Sequence, residues 1–292
     1  MTIVTTLNEA DVIGRCLDSV AALGSVTVVD SGSTDATVEI ARSKGAQVLI
    51  HPWEGYAAQK NWALDVVVDE ADWILFLDAD EWLSSHLQDE IRSIVDGGRP
   101  VDAPACGMPR RLVFLGRVMK YGTWYPDVQI RLVRAHHGRF DDRRVHEHLL
   151  TDGPPVMLTG DLMHAPSDTM TEYIEKHARY AVLEATQLAT NTSRVGLPLT
   201  SWFGRRQWLK RNIWFRLRCR PVIRWFWLLI IKQGWREGRV GFHYATIIAL
   251  YDYMIDLAVA FPDWAAPRRD QSPQRTGIAA PLESQSDSAH SM

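Results

Sequence analysis

The sequence predicts an α/β fold built on a mostly parallel β-sheet. Short runs rich in β-branched residues alternate with helical patterns over the first 80 residues, and most of these runs end in polar or acidic residues. Strand–helix–strand repeats at this spacing form right-handed crossovers, which place consecutive strands parallel. The length of 292 residues and the 46% hydrophobic content supply a sizeable core and exclude a disulfide-stapled miniprotein.

The predicted elements follow one another at short intervals. The strands are expected at residues 2–6, 26–29, 47–51 and 73–77, and the helices at 9–20, 34–44, 57–68 and 84–95. Short strands and turns are expected over residues 108–164. Longer helices are expected at 169–189, 221–233 and 240–261, and the Pro/Ser/Gln-rich end is expected to be a disordered tail.

Charge is distributed unevenly along the chain. Residues 201–244 contain eleven Lys or Arg and one acid, Glu237, whereas the whole chain has a formal net charge of -3. Six of the twelve tryptophans lie in the same segment. Indole rings settle at lipid headgroups and arginine attracts anionic lipid, so the segment predicts association with an anionic membrane surface. The alternative is that these tryptophans pack in a core, whereas the acidic remainder disfavours nucleic-acid binding.

The N-terminal sequence and the cysteines indicate the compartment. The chain opens on MTIVTTLNEAD without the basic start and apolar run of a secretory signal. The three cysteines are far apart and have no C-x-x-C spacing, which favours reduced thiols. No apolar run reaches the roughly 18 to 20 residues of a spanning helix. We therefore expect a cytoplasmic protein, peripheral on the inner face of the cell membrane.

Three carboxylates follow the fourth predicted strand within four positions. They are Asp78, Asp80 and Glu81, and clustered acids raise one another's pKa unless a cation lies among them. Oxygen ligands of this kind suit Mg²⁺ or Mn²⁺. The period of two along a strand places Asp78 and Asp80 on one side, able to face one ion. The pattern predicts a metal–diphosphate site, with a solvated acidic turn as the alternative.

A second acidic motif follows the second strand. Asp30 precedes a glycine turn and a helix start, and it could accept hydrogen bonds from a base or a ribose. By itself this motif fits a plain capped turn equally well.

Together the motifs resemble glycosyltransferase family 2. They are Thr5-Thr-Leu-Asn-Glu9, Val29-Asp-Ser-Gly-Ser-Thr-Asp35 and Leu77-Asp-Ala-Asp80. Four further motifs resemble the subgroup that includes the lipopolysaccharide core β-1,4-glucosyltransferases: His51-Pro-Trp53, Gln59-Lys60-Asn61, Trp124-Tyr-Pro-Asp-Val-Gln-Ile-Arg-Leu132 and Val145-His-Glu147. The resemblance implies the GT-A nucleotide-diphospho-sugar transferase fold, whose sheet is mostly parallel and Rossmann-like. The basic, tryptophan-rich segment adds C-terminal membrane-associating helices to the predicted fold class.

The resemblance also implies an activity and donor-site roles. The implied reaction is metal-dependent, inverting transfer of a hexose, with glucose and a UDP-sugar as first choices, to a lipid-linked or envelope glycan. Glu9 and Asp30 would lie at the nucleoside. Asp78 would contact ribose or metal, and Asp80 would bind metal and diphosphate. Lys60 is a candidate phosphate or acceptor contact, with a solvated helix residue as the alternative.

Attack by an acceptor hydroxyl needs a general base apart from the metal. The candidates are Asp127, which is preferred, and Glu147. Either carboxylate could instead form an ion pair, Asp127 with Arg131 or Glu147 with Arg144. His146 is a candidate metal ligand or a structural histidine.

The predicted organisation has four parts. Residues 1–100 form the nucleotide-sugar-binding half, 101–190 the acceptor-binding and catalytic half, 191–264 the membrane-associating region and 265–292 the tail. Two rival functions stay open at this point. One is a nucleotidyltransferase of sugar phosphates, and the other is a catalytically silent scaffold anchored at the membrane.

Overall fold

The computed structural model describes residues 1–141, 148–166, 169–190, 217 and 219–265. Its first part is a parallel sheet with the strand order β3-β2-β1-β4. The strands are β1 (Thr2–Thr6), β2 (Val26–Asp30), β3 (Gln47–Ile50) and β4 (Trp73–Asp78). The connecting helices are α1 (Ile13–Val20), α2 (Thr37–Ser43) and α3 (Tyr56–Val67). The α/β prediction for this part of the chain is therefore confirmed.

The second part makes the sheet mixed rather than mostly parallel. Strand β8 pairs antiparallel with both β4 and β6, and β12 pairs parallel with β6 and antiparallel with β5. The elements are β5 (Glu81–Leu83), α4 (Ser85–Val95), β6 (Ala105–Phe114), β7 (Arg117–Val118), β8 (Asp127–Arg134), β9 (Gly138–Phe140), β10 (Leu149–Thr151), β11 (Val156–Met157) and β12 (Leu162–His164). A parallel connection needs a crossover element, and no helix lies between β6 and β8, so the chain returns antiparallel.

The core lies on both faces of the sheet. Alternate residues of the strands pack on one side with α1 and α4, as Val4 and Leu77 do, and on the other side with α3, as Ile3 and Phe76 do. Strands covered on both faces are apolar at nearly every position, which explains the continuous run Trp73–Leu77. Polar side chains are consequently displaced to the strand ends.

The C-terminal part is helical and packs against the end of β6. It contains α5 (Met170–Thr190), α6 (Arg220–Phe226), a π-helical turn (Trp227–Ile231), a 3₁₀ turn (Gly234–Glu237), α7 (Arg239–Ala260) and α8 (Pro262–Ala265). Phe114, Tyr173, Leu228 and Tyr244 form the cluster that joins these helices to the sheet. Among the described residues no helix combines the length and apolarity needed to span a bilayer.

Some sequence expectations fall outside the described residues. Of the six tryptophans in the basic segment, Trp202, Trp208 and Trp214 lie there, as does nearly all of the expected tail. The four-part division of the chain stays a prediction.

Candidate active site

The carboxyl ends of three parallel strands meet at one edge of the sheet. Thr6 of β1 is level with Asp30 of β2, and Thr5 is level with Asp78 of β4. In open α/β sheets this edge is where ligands bind. The structure therefore brings together the acidic motifs that are 48 positions apart in the sequence.

Asp30 organises the loop after β2. Its Oδ2 accepts hydrogen bonds from the backbone N–H groups of Gly32 and Ser33, each at 2.8 Å, and its Oδ1 accepts from the Ser33 hydroxyl. The loop after β1 is tied to it, because the Asn8 N–H donates to Ser33 Oγ at 2.8 Å and Asn8 Oδ1 accepts from the Thr34 N–H at 2.8 Å. Asp30 thus fixes the conformation of the loop after β2. Its predicted contact with a nucleoside stays a prediction.

Asp78 is held between two buried cations. Its Oδ1 lies 2.8 Å from Lys60 Nζ, and its Oδ2 lies 2.7 Å from Arg131 Nη2. Burial raises the pKa of Asp78, but the attraction of Arg131 and Lys60 outweighs it and holds that pKa well below its usual range. Lys60 is therefore a buried partner of this carboxylate rather than a solvated helix residue.

Asp80 points to a different set of groups. Its Oδ2 lies 3.3 Å from His164 Nε2 and 3.6 Å from Lys176 Nζ. Burial raises the pKa of Asp80, while His164 and Lys176 lower it by more, so the net pKa falls below its ordinary value. His164 comes from the end of β12, where antiparallel pairing sets it level with Glu81. An isolated histidine in a three-residue strand carries no sequence pattern, so only the pairing of β12 with β5 identifies it.

The donors around Asp80 fit a hard divalent cation. Mg²⁺ is usually held by one or two carboxylates together with substrate phosphates and water, and an imidazole nitrogen is an acceptable additional ligand for Mn²⁺. Asp80 and His164 supply one oxygen and one nitrogen. Within the described ranges no group of three His, Cys, Asp or Glu side chains is placed to hold a metal ion. His146, the ligand predicted from sequence, lies outside the described residues.

Glu81 links the surroundings of Asp78 to those of Asp127. Its fully buried carboxylate lies 2.7 Å from Arg131 Nη2 and 3.5 Å from Arg110 Nη1, and it accepts the Asp78 N–H at 3.1 Å. Arg110 in turn donates from Nε and Nη2 to Asp127 Oδ2, at 2.9 and 2.6 Å. A continuous chain of charge pairs therefore runs from Asp78 to Asp127.

Asp127 pairs with Arg110, which corrects one sequence alternative. The pairing considered from sequence was Asp127 with Arg131, but Arg131 contacts Asp78 and Glu81 instead. Arg110 reaches Asp127 because β6 and β8 pair antiparallel with these two residues level. Asp127 keeps 40% of its side chain exposed. Its rival Glu147, and the Glu147–Arg144 alternative, lie outside the described residues.

The chain is similar in sequence to known glycosyltransferases. Residues 2–105 match the family model described as Glycosyl transferase family 2. A lipopolysaccharide core biosynthesis glycosyltransferase of Rhizobium meliloti is 29% identical over 260 residues, covering 85% of this chain and 87% of the relative. An uncharacterized glycosyltransferase of Rickettsia prowazekii is 49% identical over 94 residues, which is 32% of each protein.

A solved structure is also similar over most of its length. The crystal structure of S. aureus TarS in complex with UDP-GlcNAc is 16% identical, with a TM-score of 0.41, and the match covers 89% of this chain and 91% of that one. The matched family segment contains β1 to α4 and all the acidic motifs at the sheet edge. The chain is thus a glycosyltransferase with an α/β fold, and its residues 2–105 match the model of glycosyltransferase family 2.

Proposed function

We propose that the protein is an inverting, metal-dependent hexosyltransferase. It transfers a hexose, with glucose as the first choice, from a UDP-sugar to a lipid-linked or envelope glycan on the cytoplasmic face of the membrane. The observation that carries the proposal is the pairing of Asp80 with His164 at the carboxyl edge of the sheet, beside the buried cations Lys60 and Arg131. The lipopolysaccharide role named for the Rhizobium meliloti relative supports the acceptor class.

The residues around Asp80 suit the departure of a nucleoside diphosphate. Negative charge builds on the leaving diphosphate as the bond from the anomeric carbon to the phosphate oxygen breaks. Asp80 and His164 would hold the divalent cation, which supplies Lewis-acid neutralisation of that charge. Lys176, 3.6 Å from Asp80 Oδ2, adds a positive charge on the same side. Lys60 and Arg131 hold Asp78 ionised, so that it can orient ribose or contact the metal.

The acceptor hydroxyl would attack the anomeric carbon from the opposite face and lose its proton to a carboxylate. Asp127 is the preferred base, and Glu147 is the second candidate. In the resting arrangement Arg110 donates twice to Asp127 Oδ2, whereas among the described residues Oδ1 accepts one hydrogen bond, from Gln129 Nε2 at 3.2 Å. Oδ1 is therefore the oxygen that would take the proton.

The test of the metal assignment is transfer and donor hydrolysis with and without Mn²⁺. Asp80→Ala is expected to abolish Mn²⁺-dependent turnover while circular dichroism and the melting temperature show a folded protein. Asp65→Asn on the outer surface of α3 is the matched control, because it removes an aspartate that pairs with exposed Arg139. Turnover near the wild-type level in Asp80→Ala, or turnover unaffected by EDTA, would refute the assignment.

The test of the base compares Asp127→Asn with Glu147→Gln. The base variant is expected to lose kcat while the KM for the donor stays near the wild-type value, because the donor contacts are intact. Wild-type turnover in both variants would exclude both residues.

A further inference from the structure

An apolar ridge lies on the outer side of α6 and the π turn. We define it by six neighbouring side chains that share one outer face: Val222, Ile223, Phe226, Trp227, Ile230 and Ile231. Val222 is 58% exposed, Phe226 55% and Ile231 68%. A continuous apolar surface of this kind marks an interaction site rather than scattered exposed residues.

The π turn keeps the ridge straight. The six residues recur every four positions, and in an α-helix each such step rotates the side chain by about 40° beyond a full turn. A π turn is wider and advances less per residue, so its step offsets the rotation accumulated in α6. Leu228 and Leu229 then face the core between the ridge positions, and they are buried. The local helix geometry thus directs Leu228 and Leu229 into the core and leaves the six ridge side chains on the outer face.

Cations border the ridge at its C-terminal end. Lys232 Nζ lies 5.3 Å from the Trp227 ring centroid, and Arg236 and Arg239 are exposed. Trp235, between them, is 60% exposed. Apolar side chains flanked by an interfacial tryptophan and by basic residues match the layers of an anionic bilayer surface. A second copy of the chain fits less well, because a two-fold contact would set this basic border against itself.

The ridge is joined to the loop that leads to Asp127. Trp227 packs on Trp124 with ring centroids 4.5 Å apart, and the Gly122 N–H donates to the Lys232 carbonyl at 2.8 Å. The buried Glu237 carboxylate accepts the N–H groups of Lys120 and Tyr121, at 2.8 and 3.0 Å. A partner that binds the ridge would therefore lie close to Asp127, the proposed base.

From these contacts we infer that the apolar ridge docks the protein on an anionic lipid bilayer and thereby presents a lipid-linked acceptor to Asp127. The inference rests on the proposed function for the identity of the acceptor. It assigns the attachment to one face, α6 and the π turn, rather than to the basic segment as a whole.

The experiment measures co-sedimentation of the full-length protein with phosphatidylcholine vesicles that contain or lack phosphatidylglycerol. The wild type is expected to bind the anionic vesicles and to be released by high salt. Val222→Asp and Ile231→Asp are expected to lower the partition coefficient at least about tenfold, because each places a charge in the apolar contact. Val66→Asp on α3 is the matched control, since Val66 is also exposed, at 44%, and should leave binding unchanged.

Two further readouts decide between this surface and other occupants. Donor hydrolysis without vesicles should stay at the wild-type level in Val222→Asp and Ile231→Asp, and Ile231→Ser provides a milder variant if the charged ones lose the native fold. The inference is overturned if the wild type ignores anionic vesicles, if both ridge variants bind like the wild type, or if light scattering shows a dimer that these variants dissociate. A wild type that binds vesicles but never turns over donor refutes the proposed function alone.

Discussion

Replacing Glu81 with Gln tests whether the buried charge chain holds the active site together. The Glu81 carboxylate receives donors from three sides, namely Arg131, Arg110 and the Asp78 N–H, and it has no exposed surface. An amide has one oxygen, so its NH₂ group must face one of these donors. Removing one partner of a buried ion pair costs about 3–5 kcal/mol. We expect about 3 kcal/mol, the low end, because Arg131 keeps Asp78 and Arg110 keeps Asp127.

The assay is thermal unfolding followed by tryptophan fluorescence at pH 7. A loss of about 3 kcal/mol should lower the melting temperature by roughly 6–12 °C in a domain of this size. The control is Asp65→Asn, which breaks the pair between Asp65 and Arg139, 57% and 59% exposed, and should cost less than about 1 kcal/mol. If Glu81→Gln unfolds within about 1 kcal/mol of the wild type, the claim that this carboxylate organises the two arginines is wrong.

Three further predictions follow from single contacts. Burial raises the pKa of Asp78 and its two basic neighbours lower it by more, so its stabilisation is complete above about pH 4 and is lost as pH falls through the lowered pKa; Asp78→Asn should make the acid limb of the urea midpoint shallower. A Cβ on Gly241 would overlap the Gly234 carbonyl oxygen, so Gly241→Ala should destabilise by about 3 kcal/mol in thermal melts, whereas Gly14→Ala on α1 should be near neutral. His164→Ala should raise the Mn²⁺ concentration for half-maximal thermal stabilisation at least about tenfold, and an unchanged concentration would exclude His164 as a ligand.

The sequence predicted the parallel strands and their shared acidic edge well. Alternating patterns predicted β1 to β4 to within a residue or two, and the parallel-sheet rule then placed Asp30 and Asp78 at one edge. The alternation of side chains along β4 did not predict the partners of the two aspartates. It suggested that Asp78 and Asp80 could face one ion, whereas the structure pairs Asp78 with Lys60 and Arg131 and pairs Asp80 with His164. Joint binding of one ion by the two aspartates stays a prediction.

The partner of Asp127 could not be predicted from the sequence because the contact joins distant strands. The Arg110–Asp127 pair depends on the antiparallel register of β6 and β8, and nothing in the local sequence of either strand specifies that register. The π turn was missed for a similar reason. Helical periodicity predicted one helix over 221–233, and only the packing of Leu228 and Leu229 against the core shows where the helix widens.

Local chemistry in the chain decided the parallel half of the sheet, the acidic ends of its strands and the basic, tryptophan-rich character of the C-terminal part. These features depend on residue type and short-range spacing, which a linear pattern records. Tertiary structure alone decided which cation meets which carboxylate, that Glu81 rather than solvent lies between Arg131 and Arg110, and which face of α6 stays uncovered among the described residues. Those outcomes depend on strand register and helix packing, which bring together side chains that are tens of residues apart.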